Sequence, residues 1–314
     1  FGNYSLFTFK TFFGFDDLVR LSKIIYILIS LILNTLILIA LAITKRKKFS
    51  AFMGLTSNIL VITFLNTFAY LIQWIKKEGV YELTKDDYKY EVGGLLIGNL
   101  ENFGVCKFQG FALIFTSMGQ DILINIFFYL INQSSTPSHL HIRISIIIGY
   151  VIPFIFSLIY YFIGAIGLND RFCYVKKFNY KKILGTNRYD YFYNYTNFEV
   201  YILVIYMIRS INLVASIYLF IKIIKYVKEN NFNRRYILKS SVILIIQMGT
   251  ISLGLIYRLS SVFGNDTFSV WFSNIFLYIN TIDGILIPLS YSLSNGIYSI
   301  LYNSIMKKNI NVND

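Results

Sequence analysis

Residues 105–131 read VCKFQGFALIFTSMGQDILINIFFYLI, a run whose only charges are Lys107 and Asp121. A helix rises about 1.5 Å per residue, so about 20 predominantly apolar residues cross the roughly 30 Å of bilayer hydrocarbon. This run is long enough. Six others of comparable length, each bounded by charge, lie at 22–43, 52–75, 142–167, 198–221, 236–260 and 268–293. The expected fold is therefore an all-α integral membrane bundle of seven transmembrane helices. The segment 294–306, SNGIYSILYNSIM, is amphipathic and too short to span, as expected of a helix lying along the membrane interface.

Composition agrees. The chain is 56% hydrophobic and 14% charged, with a mean hydropathy of +0.58, whereas soluble domains carry about 25% charge. The net charge of +13 raises nucleic acid as a partner. Its basic residues, however, sit in short clusters between apolar runs, the pattern of loops facing an anionic membrane leaflet, and nucleic acid is excluded on that ground. The chain starts at Phe1 and not at Met, which points to removal of preceding residues, and no signal-peptide pattern is read in 1–20. No internal repeat of the kind found in transporters stands out.

Short-loop Lys/Arg bias orients the spans. Lys45, Arg46, Lys47 and Lys48 follow the first span without an acid, and 222–239 carries Lys222, Lys225, Lys228, Arg234, Arg235 and Lys239 against Glu229. Lys307 and Lys308 add to the tail. These segments are expected in the cytosol. The domain plan is then an extracellular segment 1–21, the bundle 22–293, and a cytosolic amphipathic helix and tail 294–314. The sequons at Asn3, Asn194 and Asn265 fall outside, where glycosylation is possible, and the one at Asn132 falls inside. The two cysteines, Cys106 and Cys173, both fall outside, in an oxidising compartment, and are expected to be bridged; two free thiols are the alternative.

The outside N-terminus, seven spans and cysteine pair together resemble the G-protein-coupled receptor superfamily. Within it the chain is most similar to the cyclic-AMP receptor and cyclic-AMP-receptor-like family. The matching residues are Gly104-Val105-Cys106, Tyr129-Leu130-Ile131, Ile152-Pro153-Phe154-Ile155-Phe156-Ser157, Phe172-Cys173-Tyr174, Tyr257-Arg258-Leu259, Asp283-Gly284 and Ser290-Tyr291. The resemblance implies a receptor at the plasma membrane that passes an extracellular small-molecule signal to a heterotrimeric G protein, with no cofactor. Departures accompany it. The third span ends in YLINQSSTPSHLHIR without an acidic-Arg-Tyr triplet, Ile287 precedes Pro288-Leu289-Ser290-Tyr291, the last span has no lysine to carry retinal, and the first outer loop is longer than the family's.

Charged and amide side chains inside spans are costly and usually face the bundle interior. Asp121 and Asp283 are candidates for a switch network, and Arg209 for ligand contact; Asn34, Gln120, Asn125, Asn212, Gln247 and Asn280 are candidates for interhelical hydrogen bonding. Which pairs form is not legible. Lys176, Lys177, Lys181, Lys182 and Arg188 break the charge bias by lying outside, and with Arg258 they suggest a basic entry for a small anionic, cyclic-nucleotide-like ligand. Alternatively they pair with Glu82, Asp86, Asp87 and Glu91 of the neighbouring loop. Arg234, Arg235 and Lys239 are the expected G-protein contacts, the other reading being topology and binding of anionic membrane lipid. No catalytic constellation or metal motif is present; His139 and His141 are placed in a solvated loop. An enzyme is not expected. The rivals to a receptor are a transporter or channel, which would show broken helices around a midplane site, and an orphan seven-helix membrane scaffold without coupling.

Overall fold

The computed structural model describes residues 13–45, 51–72, 103–133, 138–169, 172–175, 178–182, 189–193, 195–229, 234–263 and 284–290. Six long helices account for most of them: α1 (Phe13–Lys45), α2 (Ala51–Ile72), α3 (Phe103–Asn132), α4 (His139–Phe162), α5 (Tyr195–Glu229) and α6 (Arg234–Phe263). Residues 284–290 are also helical. Among the described residues five helices are long and apolar enough to cross a membrane, and α6 adds the shorter apolar stretch Ser241–Ile256. The chain is a multi-pass helical membrane protein. Residues 268–283 and 291–293 of the expected seventh span, and the tail 294–314, lie outside the described residues.

The helices are arranged polar side in. In α1 the buried positions Ile27, Ser30, Asn34, Ile37 and Leu41 recur at helical spacing, while Leu28, Ile32, Leu36 and Ile39 are exposed. A water-soluble protein would not turn that many large aliphatic side chains outward; lipid solvates them. Two apolar clusters mark the ends of the bundle. One gathers Ile37, Leu55, Phe127, Ile142, Leu219 and Ile243. The other gathers Ile27, Tyr70, Leu113, Tyr160, Tyr174 and Ile202, with Leu255 packed against it. Each long helix therefore reaches both clusters, and successive helices run in opposite directions. We call the end with Tyr174 the disulfide end and the end with Leu219 the basic end. Helix α3 is the hub, packing on α2, α4, α5, α6 and two strands.

Close approach at the hub depends on small residues. A side chain at Gly149 of α4 would run into Leu123, and one at Gly119 of α3 into Ile62. Small residues let membrane helices gain van der Waals contact in the absence of a hydrophobic driving force.

The structure departs from the expected plan in several places. The fourth span stops at Phe162, well before Gly167, because Gly164 takes φ 70°. The Gly164 N–H donates to Tyr161 O (3.2 Å) and the Ala165 N–H to Tyr160 O (3.0 Å), a Schellman stop that the apolar run conceals. Beyond this stop the chain turns to strand, so the bundle is not purely α-helical: β1 (Ile166–Asn169) pairs antiparallel with β2 (Phe172–Val175), and β3 (Phe178–Lys182) with β4 (Tyr189–Tyr193). Helix α1 starts at Phe13, inside the segment assigned to the outside. The basic segment 222–239 is not a loop, since α5 continues to Glu229 and α6 starts at Arg234, leaving 230–233 between them. His139 and His141 sit in the first turn of α4, where Ser138 caps the helix by accepting from the His141 N–H (3.3 Å).

Candidate functional site

A layer of polar side chains lies between the two apolar clusters. Asp121 of α3 accepts a hydrogen bond from Arg209 Nε of α5 at 3.0 Å, and both side chains are almost wholly buried. Gln247 of α6 donates through Nε2 to the Asp121 main-chain oxygen, also at 3.0 Å. Position 121 thus ties three helices together. The two switch and ligand candidates, read separately from the sequence, form one neutral ion pair. Burial of such a pair is tolerated only because each charge answers the other.

The Gln247 Oε1 is buried without a hydrogen-bond partner among the described residues. Tyr206, one turn before Arg209, is buried in the same cluster as Tyr174 of β2. The ion pair therefore lies beneath the strands of the disulfide end.

The α3–α5 seam continues toward the basic end. Asn125 donates to Asn212 O (3.1 Å) and Oδ1 (3.3 Å), and the Ser216 hydroxyl donates to Asn125 Oδ1 (2.7 Å). Asn132 donates to Leu219 O at 3.5 Å. Positions 121, 125 and 132 share one face of α3, and 209, 212, 216 and 219 share one face of α5, as spacings of three, four and seven require. Sequence reading found Asn125 and Asn212, took Asn132 only as a sequon, and missed Ser216, whose only signal is its place one turn after Asn212.

At the disulfide end Cys106 and Cys173 are joined, with Cα atoms 5.3 Å apart and a sequence separation of 67. Closing a loop of that length stabilises by about 4 kcal/mol in the chain-entropy model. A second tie reinforces the bridge: Gln109 accepts from the Cys173 N–H (3.1 Å) and donates to Ala69 O of α2 (3.0 Å). Gln109 was not singled out from the sequence, although it lies one turn after Cys106. Gly110 lets the strands settle here, since a side chain would run into Ile166 and the Tyr174 backbone. Residues Ile166, Cys173, Tyr174 and Val175 are buried, so β1 and β2 close over the mouth of the bundle.

A third polar node joins α1, α2 and 284–290. Asn34 donates to Ser30 O (2.8 Å) and Gly284 O (2.9 Å), and the Ser30 and Thr67 hydroxyls are 3.2 Å apart. A side chain at Gly284 would collide with both hydroxyls.

Several expected site residues are not brought into this geometry. Asp283, Lys176, Lys177, Arg188, Asn3, Asn194 and Asn265 lie outside the described residues, as do Glu82, Asp86, Asp87, Glu91 and Asn280. Arg258, Arg234, Arg235 and Lys239 are placed by backbone alone, all on α6. Lys181 and Lys182 are on β3, with Lys181 opposite Asp190 and Lys182 opposite Tyr189 in the strand register. Helix α4 runs unbroken through Gly149 and Pro153, and α6 through Gly249 and Gly254. No family model matches the chain, and no curated protein matches it.

Proposed function

We propose that the chain is a G-protein-coupled receptor resembling the cyclic-AMP receptor-like family, with seven spans, its N-terminus outside, in the plasma membrane. The observation that carries the reading is the Asp121–Arg209 pair with Gln247, which joins α3 to the two helices whose basic ends face the cytosol in this orientation. A buried pair at such a junction has few compromises: it is made or broken, and the helices move with it. A small anion entering beneath the strands competes with Asp121 for Arg209, with Lys176, Lys177, Lys181, Lys182, Arg188 and Arg258 raising its local concentration. Release of Arg209 frees α5 and α6, and Arg234, Arg235 and Lys239 meet the heterotrimeric G protein. Asp283 belongs to the same switch by its place in the last span.

The test is nucleotide exchange on a reconstituted heterotrimeric G protein, with cyclic nucleotides as probes. Wild type responds to agonist, and Asp121→Asn raises basal exchange about tenfold, within the usual range of coupling free energies. A folded Asp121→Asn protein with wild-type basal exchange rules out the pair as the switch. No exchange with any anionic probe favours a scaffold without coupling. Arg258→Ala is expected to weaken binding and flatten its salt dependence.

A further inference from the structure

Helices α4 and α5 both pack on α3, but among the described residues they are not a packed pair themselves. They meet near the disulfide end, where the Tyr160 hydroxyl donates to Tyr201 O at 2.7 Å and the two rings lie 5.8 Å apart. Toward the basic end each stays against α3: Ile142 of α4 and Leu219 of α5 join the same apolar cluster as Phe127. Among the described residues no packing of α4 on α5 closes the space between them there, which forms a notch on the lipid side. Tyr129 of α3 and Tyr218 of α5 are both 56% exposed there. The Lys222 ammonium stands over the Tyr218 ring, 5.0 Å from its centroid, and Tyr129 is one turn before Asn132, which bonds to α5 one turn before Lys222. The hydrogen bond from Asn132 to Leu219 O, one turn from Lys222, holds α5 in this position.

We propose that the notch of Tyr129, Tyr218 and Lys222 binds the headgroup of an anionic phospholipid from the leaflet at the basic end. The argument is charge complementarity. The lysine faces a ring and two phenols, which polarise toward a cation without neutralising it. The segment around it, 222–239, carries six basic residues and one acid, so the chain supplies little counter-charge of its own. A phosphodiester meets both needs: its oxygens accept from the ammonium and from the tyrosine hydroxyls. The surroundings select a lipid over a soluble phosphate. Ile144 of α4 and Val214 and Ile221 of α5 are exposed, apolar and on the bilayer side of Lys222, so acyl chains below the headgroup find hydrocarbon-like surface on both helices. Lys222 sits at the end of an apolar span, where a long basic side chain reaches the headgroup layer.

The experiment uses the full chain in nanodiscs of phosphatidylcholine with phosphatidylserine or a phosphoinositide, and native mass spectrometry to count anionic lipids retained on extraction. Wild type retains one anionic lipid, which Lys222→Gln retains about fivefold more weakly, the scale of one basic residue at an anionic surface. Lys222→Arg keeps the lipid, Tyr129→Phe weakens retention, and Arg143→Gln, an exposed cation of α4 near the same end, leaves it unchanged. Equal retention by Lys222→Gln and wild type overturns the proposal, as does a loss in Arg143→Gln as large as that in Lys222→Gln, which would mean diffuse attraction to a basic belt. Displacement of the lipid by inorganic phosphate at equal concentration would overturn the choice of a lipid as occupant.

Discussion

Helices α3 and α4 are neighbours, both apolar and both long enough to span, yet they are buried to opposite extents. The span of α4 has the higher mean hydropathy, 2.2 against 1.6, and is only 22% buried, where that of α3 is 67% buried. Its outer face is a row of large aliphatic and aromatic residues, Ile144, Ile147, Val151, Ile155 and Ile159 among them. Helix α3 instead buries Gln109, Thr116, Gln120, Asp121 and Asn125. In water the more apolar helix would be the core. In lipid the ranking inverts, because hydrocarbon solvates isoleucine and cannot solvate an amide or a charge. Polar residues, not apolar ones, report which helix is central.

Breaking the central pair on one side tests this inversion most severely. Arg209→Met leaves Asp121 buried and uncompensated and is expected to cost about 3–5 kcal/mol of stability, whereas Arg209→Met with Asp121→Leu recovers most of the loss. Thermal melts of the two variants in the same detergent measure it; a double variant as unstable as the single one would mean that the charges do not act as a pair. A smaller effect sharpens the contrast between the helices. Leu123→Ala, on the buried face of α3 against Gly149, is expected to cost about 2–3 kcal/mol through the cavity it leaves. Ile152→Ala, on the lipid face of α4, should stay within about 0.5 kcal/mol. If the two cost the same, α4 is buried against something in the membrane. The smallest effect lies along the α3–α5 seam. Ser216→Ala removes the hydroxyl that donates to Asn125 and is expected to cost about 0.6 kcal/mol, the average for interhelical hydrogen bonds in a membrane. A cost several times larger would make the seam a principal support of the bundle.

Much of the frame was legible. Six of the seven runs bounded by charge each overlap one of α1 to α6, and Cys106 and Cys173 fall at one end of the bundle on charge and span length alone. Element ends were less legible. The run from Ile142 to Gly167 has no break in hydropathy, so the stop at Gly164 depends on a backbone conformation that hydropathy does not register. The basic stretch after Ile221 looked like a loop because charge ended the apolar count, but helix formation needs backbone hydrogen bonds and not an apolar surface, and α5 carries Lys222 and Lys225 onward to Glu229. Gln109 was overlooked because a lone glutamine near a cysteine has no pattern of its own.

What the sequence determined by itself is that this chain lives in a bilayer and how its helices alternate through it, since both depend on the length of apolar runs and on where charge interrupts them. It also marked Asp121 and Arg209 as costly, because an ionisable group at that depth is expensive in any fold. That the two answer each other, that Gln247 joins them from a third helix, and that Ser216 meets Asn125 were decided only by tertiary structure. These partners are separated by tens of residues and brought together by helix packing, whose crossing geometry depends on small residues such as Gly119 and Gly149 and on side-chain shape, neither of which leaves a periodic trace in the chain.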